Sequence, residues 1–152
     1  LTMKRLIVSF VLVALFFPAA ATAQDSGFGL GVILGEPTGI SFKNWVGSNT
    51  ALDFAVAWSF GDKAAIHVHA DYLFHNFHLF KVEKGRLLLY YGIGGRFKAE
   101  KKSRVGVRIP VGVCYLFERD PLEIFFELAP ILDLAPSTAF WGTGGIGVRY
   151  YF

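Results

Sequence analysis

The chain has 152 residues, 53% hydrophobic, 16% aromatic and 18% charged, with a formal net charge of +3 at pH 7. That is too apolar for an ordinary water-soluble domain of this size. Yet beyond the N-terminal stretch no apolar run approaches the ~20 residues of a spanning helix, so the remaining class is a lipid-facing barrel, in which every second residue meets hydrocarbon.

Met3, Lys4 and Arg5 form a basic start, residues 6–17 an apolar run, and Pro18 breaks it before Ala21-Thr22-Ala23. This pattern predicts a secretory signal peptide over residues 1–23 and a barrel domain over 24–152. The run is too short for an anchoring helix. Without Lys4 and Arg5 the 15 basic residues fall to 13 against 12 acids, so the basic balance is no argument for nucleic acid. Cys114 is the single cysteine, which excludes an intrachain disulfide.

From there the chain reads as short alternating segments parted by turn residues. Phe28, Leu30, Val32 and Leu34 face one way and Gly29, Gly31 and Ile33 the other, before a turn at Glu36-Pro37-Thr38. Residues 39–46 return with Ile40 and Phe42 outward and Ser41 and Lys43 inward, and Gly47-Ser48-Asn49 turns again. Residues 50–60 are the clearest strand, with Leu52, Phe54, Val56, Trp58 and Phe60 against Asp53, Ala55, Ala57 and Ser59. After Gly61-Asp62-Lys63 comes a segment from 64 to about 80, in which Ile66, Val68, Ala70, Tyr72 and Phe74 oppose His67, His69, Asp71, Leu73 and His75.

A polar connection over 81–86 leads to a strand over 87–98, where Tyr90, Gly92, Gly94, Arg96 and Lys98 point in. Residues 100–104 (EKKSR) are the most charged loop. Arg108, Pro110, Gly112 and Cys114 are the inward set of residues 105–117, and Glu123, Glu127 and Asp133 that of 122–134. A loop over 135–140 precedes the last strand. There Gly142, Gly144, Ile146, Val148, Tyr150 and Phe152 share the outer face, and Thr143, Gly145, Gly147, Arg149 and Tyr151 the inner. Eight such strands in one meander predict an all-β fold, an eight-stranded antiparallel up-and-down transmembrane β-barrel. Pro110 and Pro130 each remove a ladder donor, so a bulge or strand end is expected near them.

The inward set then includes Lys43, Asp53, His67, His69, Asp71, Arg96, Arg108, Glu123, Glu127, Asp133 and Arg149. An eight-stranded lumen is about wide enough for side chains alone, and charges excluded from water need partners. A salt-bridged polar core follows, with Arg108 opposite Asp133, Glu127 opposite Arg149 and Asp71 near Arg96. His67, His69 and Asp71 share a face and could hold zinc if Asp53 supplied a third ligand. A guanidinium beside them speaks against a dication, and no metal or cofactor is expected. Ser59 near His67 is the one nucleophile–base pairing, without the oriented triad that catalysis needs. The Gly-rich stretches lie within strands with no following helix, which excludes phosphate loops.

The closing stretch GTGGIGVRYYF places Gly147, Tyr150 and Phe152 where outer-membrane barrels carry their C-terminal signature. The mature chain resembles the small eight-stranded outer-membrane barrels of OmpX/OmpA-transmembrane type. In GEPTGISFKNW, LDFAVAWSF, HADYLF, SRVGVRIPVG and GGIGVRYYF it looks like a family of uncharacterised barrel proteins from Gram-negative bacteria and spirochaetes. The resemblance implies insertion from the periplasm by the barrel-assembly machinery, with Tyr150 and Phe152 as the recognised end. It implies no agreed activity. The short outer connections depart from the long ones of OmpX-like adhesins.

With both termini periplasmic, Trp58, Phe60, Phe97, Phe140 and Trp141 are expected at the outer rim. Trp45, Phe80, Tyr115, Phe117, Tyr150 and Phe152 are expected at the inner one. The expected role is structural or surface-interacting, in a monomer that touches outer-membrane lipids and lipopolysaccharide and can present itself to an external protein. A small or gated pore, and a lipid-active barrel enzyme, are the alternatives.

Overall fold

The structure is a computed structural model, which describes residues 27–36, 38–59 and 65–152, apart from the side chains of Glu36 and Ser59. The signal peptide expected over residues 1–23, the domain start at Gln24, the turn at 61–63 and Phe60 lie outside the described residues.

Nine strand segments form one antiparallel sheet: β1 (Phe28–Glu36), β2 (Thr38–Trp45), β3 (Thr50–Ser59), β4 (Ala65–Asn76), β5 (Arg86–Ala99), β6 (Arg104–Arg108), β7 (Val111–Leu116), β8 (Leu122–Ala135) and β9 (Ala139–Tyr151). Neighbours in the chain pair with one another except β6 and β7, and β9 pairs back onto β1 from Gly29↔Tyr151 to Glu36↔Gly144. Segments β6 and β7 are two halves of one stave. Both lie between β5 and β8, and the register passes unbroken from Gly94↔Arg108 to Tyr91↔Val111 and from Arg108↔Ile131 to Val111↔Leu128. The molecule is therefore an eight-stranded antiparallel up-and-down barrel, and closure leaves no edge of unpaired backbone.

The prolines account for the divided stave. Gly92 N donates to Pro110 O and Ile109 N to Pro130 O, both at 3.0 Å. Neither proline nitrogen can return the bond. The two losses fall side by side on adjoining ladders, so the sixth stave breaks between Arg108 and Val111. Pro130 stays within β8, because its nitrogen faces the stave of β6 and β7, away from Gly142 opposite it on β9. A register shift also occurs at Val105/Gly106 against β8. Two boundaries differ from the sequence reading: β8 runs to Ala135 and β9 begins at Ala139, which shortens the loop expected over 135–140, and β4 stops at Asn76, short of residue 80. Asn76 Oδ1 accepts the backbone N–H of His78 at 2.9 Å, a side-chain turn that ends the strand and brings Phe77 against the end of the lumen.

The alternation decides what each face meets. Outward positions such as Val56, Val68, Phe97, Ile146 and Val148 are all more than 40% exposed. The inward charges Lys43, Glu123, Asp133 and Arg149 are at most 1% exposed. This inverts the polarity of a water-soluble protein. Inside, three large rings stand directly opposite glycines: Tyr90 opposite Gly112, Phe125 opposite Gly147, and Tyr151 opposite Gly29. A Cβ on any of these glycines would run into the ring it faces.

Candidate functional site

The lumen is filled in layers. At the end carrying both described termini, Leu73, Leu88, Tyr90, Cys114, Leu116 and Phe125 form an apolar floor. Trp45, Ala51 and Tyr151 make a second cluster, and Phe77 packs against both. Trp45 was expected in the aromatic belt at the inner rim. It instead faces the lumen at 8% exposure, its ring 4.4 Å from that of His75, because it shares parity with Lys43.

Above the floor lies the first charged layer. Lys43 Nζ donates to Glu123 at 3.2 Å and contacts His75 Nε2 at 2.8 Å. Arg149 donates to Ser41 Oγ at 2.9 Å, to Asp53 at 3.2 Å and to Glu123. The Tyr151 hydroxyl adds a bond to Glu123 at 2.7 Å, and the Arg149 guanidinium lies 3.8 Å from the centre of the Phe125 ring.

In the next layer Arg108 reaches Glu127 at 2.8 Å and Asp71 at 3.0 Å. Tyr90 donates to Glu127 at 3.2 Å, and His69 Nδ1 lies 3.2 Å from Asp71. Towards the far mouth, Arg96 holds Asp133 with two bonds of 2.7 and 2.9 Å, and Arg104 stands 3.7 Å from the same carboxylate. Trp141 lies at this mouth, the end where it was expected, but turns to its charges: its ring is 5.5 Å from Lys98 Nζ and 5.2 Å from the Arg104 guanidinium. A cavity of about 20 Å³, room for about one water molecule, borders His69, Arg108, Glu127 and Thr143.

These pairs correct the three anticipated ones. Arg108 meets Asp71 and Glu127 in place of Asp133, Arg149 meets Glu123 and Asp53 in place of Glu127, and Asp71 is served by Arg108 and not by Arg96. The cause is a recurring bridge across a glycine. Register places Arg108, Gly94 and Asp71 in one row, Arg96, Gly106 and Asp133 in a second, and Arg149, Gly31 and Ser41 in a third. In each row the arginine passes over the glycine to a partner two strands away. A Cβ on Gly94 or Gly106 would strike the oxygen that the arginine reaches. Asp53 and Asp71 stand directly opposite each other, an unfavourable like-charge pair, and each has an arginine within 3.2 Å.

Among the described residues, Asp53, Asp71 and Glu127 are the group close enough to share a metal ion, with ligand atoms within 4.8 Å of one another. His67 and His69 are buried but do not join that group. The carboxylates already face Arg108 and Arg149, fixed charges that a dication would have to displace. Replacing His67 and His69 together by Gln should lower stability and leave zinc content unchanged. Elemental analysis of protein refolded with and without Zn²⁺ checks this, and stoichiometric zinc lost in the double variant would overturn it. Ser59 is paired with Ala65, and His67 with Ala57, so the two are not opposite one another in the ladder.

The groups that sequence reasoning undervalued are Tyr90, Tyr151 and Arg104, which complete the bonds of the acids, and His75, which contacts Lys43. Tyr90, Tyr151 and His75 were read as inward and Arg104 as part of the charged loop over 100–104; the reach of the four across the lumen was not visible.

The barrel is similar to the N-terminal β-barrel domain of Pseudomonas aeruginosa OprF, at 14% identity and a TM-score of 0.58, over 82% of this chain and 95% of that one. It is also similar to Neisserial surface protein A (NspA), at 11% identity and a TM-score of 0.53, over 82% of this chain and 93% of that one. At these identities the likeness establishes the fold. No curated protein matches the chain. The model of the family described as a protein of unknown function, DUF3996, matches residues 20–143, and the chain belongs to that family.

Proposed function

We propose that this chain is an integral outer-membrane barrel, closed by its own ion-pair network, which serves a structural or surface-interaction role and catalyses no reaction. The observation that carries the reading is the inverted polarity of the wall: apolar side chains exposed all around, charges buried inside. Water would not tolerate that exterior, whereas a bilayer requires it. The likeness to the OprF domain and NspA supports the same reading.

On this reading the chain is exported with a signal peptide cleaved after Ala23 and inserted by the barrel-assembly machinery. Both termini stay in the periplasm. Its surroundings are outer-membrane lipids and lipopolysaccharide, its working form is a monomer, and an external protein would be met by the outer connections.

Fractionation tests the reading. The protein should be recovered in the outer membrane, resist carbonate extraction and shift on gels when heated. Recovery as a soluble periplasmic protein would sink it. In planar bilayers the purified barrel should be electrically silent, since apolar and charged layers both cross the lumen. A steady conductance abolished by bulky lumen substitutions would establish a pore instead.

A further inference from the structure

Three register rows cross the outer face of β3 to β6. Val56, Val68, Phe97 and Val105 stand side by side in one, and Leu52, Tyr72 and Ile93 in another. Between them runs Phe54, Ala70, Gly95 and Val107. The small Ala70 and Gly95 leave a groove of about 520 Å³ in the wall, beside the row of Val56, Val68, Phe97 and Val105.

Gly95 is not there for the barrel's sake. A Cβ at this position would meet only the Gly106 carbonyl oxygen, at an ordinary 3.9 Å, whereas one on the adjacent Gly94 would collide with Asp71. Glycine inside a strand is destabilising, and one that no neighbour demands marks a place where something approaches from outside.

The rim above the groove is basic. Phe97↔Val105 is its upper edge, Lys98↔Arg104 is the next pair, and residues 100–103 join the two strands. Lys98 and Arg104 turn to Glu100, at 3.7 and 3.0 Å. Lys101 and Lys102 are left exposed, in no ion pair among the described residues. From Gly95 to Ala99, the end of β5, is about 13 Å at ~3.3 Å per residue, hence about 10 Å of depth once tilted, with Lys101 and Lys102 in the connection beyond. That depth lies within one half of a ~30 Å hydrocarbon core.

We propose that this groove holds one acyl chain of an anionic phospholipid whose phosphate is bound by Lys101 and Lys102. The proposal rests on the outer-membrane reading and adds to it a specific lipid site on the wall.

The test is native mass spectrometry of the folded full-length barrel in non-ionic detergent, mixed with dioleoylphosphatidylglycerol or dioleoylphosphatidylcholine. Wild type should retain one phosphatidylglycerol, preferred about tenfold over phosphatidylcholine through the two surface lysines. Gly95→Leu and, independently, Ala70→Leu fill the groove with a lipid-compatible side chain, and each should abolish retention of both lipids. Lys101→Gln with Lys102→Gln should keep a bound lipid but lose the preference. Equal retention by wild type and Gly95→Leu, or none by wild type, would overturn the proposal. A dimer that Gly95→Leu dissociates would assign the groove to a second copy and overturn it likewise. Flotation with vesicles separates the two levels: a barrel that fails to enter vesicles sinks the membrane reading, while one that enters them yet retains no lipid sinks only this site.

Discussion

Replacing Arg149 with methionine should destabilise the folded barrel by about 3–5 kcal/mol, the range for removing one partner of a buried ion pair. The side chain is 1% exposed and serves Glu123, Asp53 and Ser41 together. Methionine keeps most of the volume over Phe125 but leaves two carboxylates facing the single ammonium of Lys43. An uncompensated charge in that interior has no water to turn to. Denaturant unfolding of protein refolded in vesicles measures the loss. Adding Asp53→Asn and Glu123→Gln to the methionine variant should restore a large part of it, because the penalty belongs to the stranded acids more than to the missing bonds. Arg149→Lys should fall between, since one ammonium cannot reproduce the fork of donors that reaches three partners. A loss below about 1 kcal/mol for Arg149→Met, within the ordinary range of point substitutions, would mean that the layer is hydrated and the charge count immaterial.

The barrel itself was legible because period two is a local property. Strand β4 alternates strictly from Ala65 to Asn76, and its outward set Ile66, Val68, Ala70, Tyr72 and Phe74 could be read straight from the sequence. Sidedness followed too: each inward acid and arginine could be assigned a face without knowing its partner. The partners could not be read, for a geometric reason. Pairing by hairpin looks one strand away, whereas Arg108, Arg96 and Arg149 each pass over a glycine to a second strand. Gly94 and Gly31 were read as inward glycines and Gly106 shares the parity of Arg108, but which arginine crosses which glycine depends on the register of two ladders at once. Trp45 shows a different limit. Its chemistry suits a membrane interface, yet parity with Ser41 and Lys43 turns it inward, and here parity decided. Pro110 and Pro130 were read as an obstacle in the right place. Only the register shows that they stand on neighbouring ladders and break one stave together.

Removing Phe152 should reduce the folded barrel in cells severalfold while leaving the purified protein able to refold. The two halves of this expectation have separate causes. In the structure Phe152 contributes one ladder bond, its N–H donating to Phe28 O at 2.9 Å, and a half-exposed ring packed 5.1 Å from that of Tyr150. The seam between β9 and β1 keeps its register from Gly29↔Tyr151 to Glu36↔Gly144 without it. One net hydrogen bond is worth about 1 kcal/mol, too little to unfold a closed barrel of this size. In cells the same residue stands at the end that the outer-membrane resemblance marks for recognition, and a chain delayed before insertion is exposed to degradation. Immunoblots of outer-membrane fractions, beside refolding yields in vesicles, separate assembly from stability. Phe152→Leu, which keeps an apolar end, should recover part of the cellular level, and Phe152→Asp should recover none. Wild-type amounts of folded barrel from the truncated chain would refute the role of the closing residue. Loss in both assays would make Phe152 a stability element of the seam and not a mark read during insertion.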